Sequence, residues 1–401
     1  MKRPTDKEKS SRRSFIEQLT ALGLLSSLPG SNLLAKDRTD NVNLKQEDFI
    51  PYLQLLTPTS AVIRWIDFAD NLSWLTLNDG LKEVDVFQIT DGFAKSGIGV
   101  KEFQLSDLQP DTHYSYQIKS KTIRQYKAYD IQYDAAEESE KYHFTTPSSH
   151  KSDMACIILN DLHDRPSSYQ ELLRLEDSDY DFLVLNGDTF NYLENENQLF
   201  KNLFFPLGRM IKGAKQVVFS RGNHETRGTF SRQLKKYFSY PDNTFYHSFV
   251  KGNVRFIVLD AGEDKPDQEP VYAGLAYYDQ YRQEQAKWLT ALLQKKRSKA
   301  IKYQVVIMHI PPFHSGDWHG TMHCREVFHP IFEKYKIDLL VSGHTHRAGF
   351  HSRNQAHNYP ILIGGAPEEG KRTIIKLSSS EKGLLATLRK DDGTLLAQEW
   401  L

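Results

Sequence analysis

Cysteine is nearly absent: Cys156 and Cys324 are the only two in a chain of 401 residues. They match none of the paired spacings of a zinc ribbon or redox motif. Cys156 lies inside an apolar run and reads as a buried, inert thiol; a disulfide is possible but unneeded. Net charge is also absent, with 51 Lys+Arg against 51 Asp+Glu, so no whole-molecule field favours nucleic acid or anionic lipid. An anionic partner would have to be steered locally. No apolar run reaches the roughly 20 residues of a membrane span. A second histidine at metalloprotease spacing is missing, since His224-Glu225 is followed by Thr226, Arg227 and Gly228. A Gly-x-Ser-x-Gly nucleophile elbow is missing too. What is present is ordinary globular material, 39% hydrophobic and 12% aromatic, long enough for two domains.

The first 36 residues stand apart. Lys2, Arg3, Lys7 and Lys9 precede Ser11-Arg12-Arg13-Ser14-Phe15-Ile16, and a moderately apolar stretch from Leu19 to Leu34 follows. This order resembles a twin-arginine export signal. Pro29, Gly30 and Asn32 interrupt the stretch, so removal is expected rather than anchoring, and no cysteine follows to carry a lipid. The resemblance implies a periplasmic or extracellular mature protein.

From 46 to 147 the sequence reads as strands. Alternating or β-rich runs occur at Ala61–Ile66, Ser73–Leu77, Val84–Phe87 and Tyr114–Ile118, without helical period between them. A small all-β sandwich fits. Leu108 to Tyr114, with Pro110-Asp111, resembles the tyrosine corner of fibronectin type III folds, and Trp65 is placed like their core tryptophan. Trp65, Trp74 and Tyr114 read as packing residues. Phe144-Thr145-Thr146-Pro147-Ser148-Ser149 reads as a short linker.

From 150 to 401 the fold class changes to α/β, a layered β-sandwich flanked by helices. Short β-branched runs end near Leu159, Leu185, Phe219, Leu259, Met308 and Val341. The spacing predicts helices from Asp279 to about Arg297 and from Glu326 to Tyr335. The segment Thr373–Leu401 has strand-like runs around Asp392-Gly393 that complete a sheet. Five runs lead into metal-ligand types: Asp161-Leu162-His163, Gly187-Asp188, Gly222-Asn223-His224-Glu225, His309, and Gly343-His344-Thr345-His346. Ligands bind beyond the carboxyl ends of such strands, so these loops are expected to converge. Aspartate, imidazole and amide oxygen suit iron, manganese or zinc. The glycines before Asp188, Asn223 and His344 are expected to turn the backbone sharply and keep bulk away from an incoming phosphate.

Together these motifs resemble the signature set of calcineurin-like metallophosphoesterases, and the preceding β domain makes the whole similar to the purple acid phosphatase branch. The resemblance implies two metal ions. Asp161, His163, Asp188 and His346 would hold one; Asp188, Asn223, His309 and His344 would hold the other, with Asp188 as the bridge. It also implies hydrolysis of a phosphate mono- or diester by a hydroxide held between the ions, with His224 as proton donor or phosphate contact. Arg221 is expected to neutralise phosphoryl charge, and His319 to reach substrate from a loop rich in histidine and glycine around Trp318. One position departs from the branch: its iron-binding tyrosine, three residues after the bridging aspartate, is here Asn191. Tyr192 is one residue late and points elsewhere in an extended chain, so no tyrosinate colour is expected. Asn191 is read instead as orienting His224 by a hydrogen bond. The implied partner is a small phosphorylated substrate, with no nucleic acid and no stable membrane anchor. A surface or periplasmic binding protein that keeps the fold without catalysis is the alternative, separable by turnover of an aryl phosphate after metal loading. Specificity is assigned to the loops Asn191–Gly208 and Asp260–Tyr278.

Overall fold

A computed structural model describes residues 45–176 and 180–401, which form one compact unit from Lys45 to Leu401. The twin-arginine reading lies outside the described residues. No described helix is long and apolar enough to cross a membrane.

Two mixed sheets face each other in the larger part of the chain. The first has nine strands in the order Leu395–Trp400, Gly383–Lys390, Thr373–Ser380, Met154–Leu159, Phe182–Asn186, Gln216–Ser220, Tyr52–Gln54, Ala61–Asp67 and Gly99–Leu105. The second has six: His247–Lys251, Val254–Leu259, Tyr303–Met308, Leu339–Ser342, Ile361–Ile363 and Gly349–His351. The central strands of both run parallel, with Cys156 opposite Phe182 in one and Phe256 opposite Val305 in the other. Their near-continuous apolar character follows from burial on both faces.

Between the sheets lies one apolar layer, in which Ile158, Phe182 and Val184 meet Phe256, Val305 and Val341, all fully buried. Each such side chain contributes about 1.5–3 kcal/mol on burial. The outer face of the six-stranded sheet is covered by the helices Tyr278–Gln294 and His319–Tyr335 through Leu289, Leu293, Phe328 and Phe332. The second helix begins seven residues before the expected Glu326, and Pro330 sits within it. Cys156 and Cys324 are free and buried in these layers, and burial pushes the Cys324 thiol up to about 11.

The N-terminal strands divide among three sheets, the smallest of them the two-stranded pair Ile89–Thr90 and Phe93–Ala94. Asn71–Asn78 and the long strand His113–Lys127 build a separate all-β sheet. Tyr52–Gln54, by contrast, pairs with the strand ending at Ser220, with Leu53 opposite Gln216. Sheet hydrogen bonding therefore crosses the boundary read near residue 147. An aromatic cluster of Phe49, Tyr52, Phe200, Phe204 and Phe238 packs this junction. Trp65 is buried against Phe49, and the Tyr114 hydroxyl accepts the Gln109 amide hydrogen at 2.8 Å.

Candidate metal centre

The carboxyl ends of the parallel strands of both sheets meet at one place, and the loops that leave them carry the seven candidate ligands. Asp161, His163, Asp188, His344 and His346 all have φ between 46° and 70°. Non-glycine residues avoid this left-handed region, and its concentration here marks loops bent to aim side chains inward. Gly187, at φ 80°, has a second constraint: a Cβ there would lie 2.6 Å from Gly222 Cα and from His309 Nδ1. Gly222 and Gly343 are needed for a different reason from the expected one. A Cβ at either would collide with the carboxylate of Asp188 or Asp161, so these glycines make room for the ligands themselves rather than for an incoming phosphate.

Three overlapping groups of side chains have ligand atoms within 4.8 Å of one another: Asp161, His163 and His346; His163, Asp188 and His224; and Asp188, His309 and His344. Asn223 joins the last, its Oδ1 lying 3.0 Å from His344 Nδ1. Asp188 is shared by the second and third groups. His163 Nε2 and His346 Nε2 are 3.0 Å apart, and His163 Nδ1 already donates to the Asn191 side-chain oxygen, which turns its lone pair toward His346 and Asp188. His309 Nδ1 donates to the Asn186 carbonyl at 2.8 Å; its buried Nε2 has no hydrogen-bond partner of good geometry among the described residues, although Asp188 Oδ2 lies 3.0 Å away.

The electrostatics of this pocket fit a cation. Burial alone would lower the His309 pKa, but the carboxylates of Asp188 and Asp161 raise it to about 10. Burial alone would raise Asp188, yet His309, His224 and His163 hold it well below the usual carboxylate range. His344, half-buried beside His309, is lowered by its burial to about 4 and presents a lone pair. Carboxylates, imidazoles and an amide oxygen, without thiolate, form an oxygen and nitrogen donor set for iron, manganese or zinc.

The surrounding residues only partly follow the sequence reading. His224 Nδ1 lies 2.7 Å from the Asn191 backbone carbonyl, so it is the main chain of Asn191 that orients His224. The Asn191 side chain holds His163 instead, at 3.1 Å. Arg221 does not face the ligands: it makes a two-nitrogen pair with Asp260 at 2.6 and 2.9 Å and stacks on Phe245 at 4.3 Å. A half-buried guanidinium beside a buried carboxylate stays there, because leaving would strand the carboxylate. His319 lies on the first turn of the helix His319–Tyr335 rather than in a loop, and its Nε2 is 2.8 Å from Asp279. Tyr192 is half exposed and tilted beside His224, with ring centroids 6.0 Å apart.

Two residues near the centre were given no role by the sequence. Arg227 Nη1 donates to His224 Nε2 at 3.0 Å while its other nitrogens grip Glu263 at 2.7 and 2.9 Å. Its position three residues after His224, closing the 3-10 turn His224–Thr226, was the available signal. Glu225, fully buried, accepts the backbone amides of Asp188, Gly222 and Phe190 at 2.8, 2.7 and 3.1 Å and so ties two ligand loops together.

Residues 154–348 match the calcineurin-like phosphoesterase family. Curated relatives include a probable purple acid phosphatase 20 of Arabidopsis thaliana, 23% identical over 57% of this chain and 52% of its own length. Purple acid phosphatase 22 of the same plant is 24% identical over 50% of this chain and 46% of its own. The chain thus spans about half the length of these relatives. Among solved structures, the purple acid phosphatase from yellow lupin (Lupinus luteus) seeds superposes with a TM-score of 0.65 at 16% identity, covering 87% of this chain and 73% of that one. PhoD superposes at 0.59 and 13%, covering 88% and 89%. The order of the ligand motifs and the paired sheets that deliver them agree with the family match, so residues 154–348 form a calcineurin-like phosphoesterase domain, and the chain as a whole shares the fold of the lupin purple acid phosphatase and PhoD.

Proposed function

We propose that this protein hydrolyses a phosphate ester at a dinuclear metal centre. The observation that carries the reading is the overlap of the ligand groups: Asp161, His163 and His346 on one side and Asp188, His309 and His344 on the other, with Asp188 also grouped with His163. Asp161, His163, Asp188 and His346 would hold one ion and Asp188, Asn223, His309 and His344 the other. Two ions so held would activate water as the nucleophile and neutralise charge on the phosphoryl oxygens.

The chain's own residues supply the rest. His224, anchored through Nδ1 by the Asn191 carbonyl, keeps Nε2 3.9 Å from Asp188 Oδ2, on the edge of the site. A phosphate ester that displaces Arg227 frees Nε2 to take up a proton from solvent, and the resulting imidazolium, its Nδ1–H still on the Asn191 carbonyl, delivers that proton to the departing alkoxide. Arg227, held by Glu263, then offers a guanidinium nitrogen to a phosphoryl oxygen. Export by the twin-arginine route belongs to the same proposal and rests on Arg12-Arg13 and the apolar stretch after them.

Phosphate release from a panel of phosphorylated metabolites, after loading with manganese, zinc or iron and with elemental analysis of the purified protein, tests the reading. Release that depends on about two metal ions per chain is the expected result. Full metal occupancy without release from any ester would favour the non-catalytic binding protein.

A further inference from the structure

We propose that the cavity on the outer side of His224 is the leaving-group subsite, and that the preferred substrates are phosphate monoesters of alcohols carrying a flat apolar body. The inference rests on the phosphoesterase reading and names its substrate class. The cavity measures about 550 Å³, within the usual size of small-molecule sites, and its wall includes Tyr192, Arg227, Val271, Tyr272, Leu275 and Tyr278. Arg227 and Tyr192 are the two walls that also touch the His224 side of the centre, at 3.0 Å and in ring contact. A phosphoryl group over the ligand cluster would therefore direct its ester oxygen past His224 and its alcohol into this space.

The chemistry of the walls selects the alcohol. Val271 is 70% exposed, Leu275 67% and Tyr192 52%. Large apolar side chains held open around one concavity mark a ligand surface rather than a core. The charges nearest His224 are already matched: Arg227 is paired with Glu263, and Lys265 lies 3.2 Å from Asp264. Arg232 and Glu194 stand exposed on the rim. A polyanionic alcohol thus meets next to His224 cations that are already paired, with Arg232 on the exposed wall, whereas an aromatic body finds tyrosine faces and aliphatic carbon. Both loops expected to set specificity contribute, Tyr192 from one and Val271 to Tyr278 from the other.

The test compares ethyl phosphate with 2-(1-naphthyl)ethyl phosphate on the metal-loaded full chain. Both release primary alcohols of similar acidity, so intrinsic reactivity cancels. The expected result is a kcat/KM at least about tenfold higher for the naphthyl ester, and a ratio that falls toward one in Tyr192→Ala/Leu275→Ser, whose exposed positions spare the core. In parallel, 2-(1-naphthyl)ethylphosphonate, which has no ester bond to cleave, reports binding by its fluorescence and should bind the double variant about tenfold more weakly. Equal kcat/KM for the two esters, or phosphonate binding unmoved in the double variant, overturns the subsite while the phosphoesterase reading stands. Phosphonate binding that the double variant weakens, with no phosphate released from either ester or from any ester of the metabolite panel, supports the apolar site and overturns the phosphoesterase reading instead.

Discussion

Asn191 clasps His163 from both ends: its side-chain oxygen accepts the imidazole Nδ1 hydrogen at 3.1 Å, and its amide nitrogen donates to the His163 carbonyl at 3.3 Å. A donor bond at Nδ1 fixes the tautomer and turns the Nε2 lone pair toward Asp188 and His346. Asn191→Ala should weaken the first metal ion by about 10- to 100-fold, while Asn191→Asp, which keeps the acceptor, should retain it. Equilibrium dialysis against a metal buffer measures this. Iron-loaded protein should also lack a tyrosinate band, and a strong visible absorption would show that a tyrosine reaches the metal after all.

His224 is the second test. Its replacement by glutamine should lower kcat by about 10²- to 10⁴-fold with esters of poor leaving groups. The loss should shrink with nitrophenyl phosphate, whose leaving group departs without a proton. Equal losses for both would assign His224 to holding phosphate rather than to proton transfer. Metal content, measured by elemental analysis, should stay at the wild-type level, since His224 belongs to neither proposed ion.

What the sequence made legible and what it hid divide along physical lines. Strand ends were readable because β-branched runs stop where glycine and ligand residues begin, and Met154–Leu159 and Val254–Leu259 end at the expected residues. The ligand set was readable because each motif lies within a few residues of a strand end. Partner choice was not. Arg221 and Arg227 flank the same Gly-Asn-His-Glu segment, and only the fold reveals that Asp260 takes the first while Glu263 aims the second at His224. The helix start at His319 was hidden by glycine and histidine, poor helix formers whose first turn is held from outside by the Gly320 amide donating to the Asp264 carbonyl at 2.8 Å. Sheet continuity across residue 147 depends on the pairing of Leu53 with Gln216, a long-range contact with no local signature.

Glu225 gives a third test, of stability rather than chemistry. Its two oxygens receive three backbone hydrogens from the Asp188, Gly222 and Phe190 amides, a set that only a carboxylate satisfies. In Glu225→Gln one oxygen becomes an NH2 facing an N–H donor, so at least one buried amide loses its acceptor. The expected cost is about 1–3 kcal/mol, read from urea unfolding of metal-free protein. Because the carboxylate sets the position of Asp188, metal affinity should fall with it. A variant of wild-type stability would mean that the loops hold their shape without this anchor.

The pH dependence of stability supplies a fourth test at a site remote from the ligands. His247 is buried between Tyr240 and Phe249, its Nδ1 without a hydrogen-bond partner among the described residues. Burial lowers its pKa from 6.5 to about 4, against a smaller raising effect from a backbone bond with Phe245. Above about pH 6.5 the ring is neutral in both folded and unfolded chains, and the shift has no consequence. As pH falls from 6.5 to 4 the unfolded chain binds a proton that the folded chain refuses, so stability is lost across that window and levels off below it. At 1.36 kcal/mol per pH unit the full loss is about 3 kcal/mol. His247→Phe removes the titrating group while keeping an aromatic ring in place, so its unfolding free energy should decline less steeply than that of the wild type between pH 6.5 and 4. Both proteins must be metal-free, so that loss of ions from the centre does not enter the difference. Parallel pH profiles for the two would show that His247 takes up its proton in the folded state, through water or a local opening of the strand His247–Lys251.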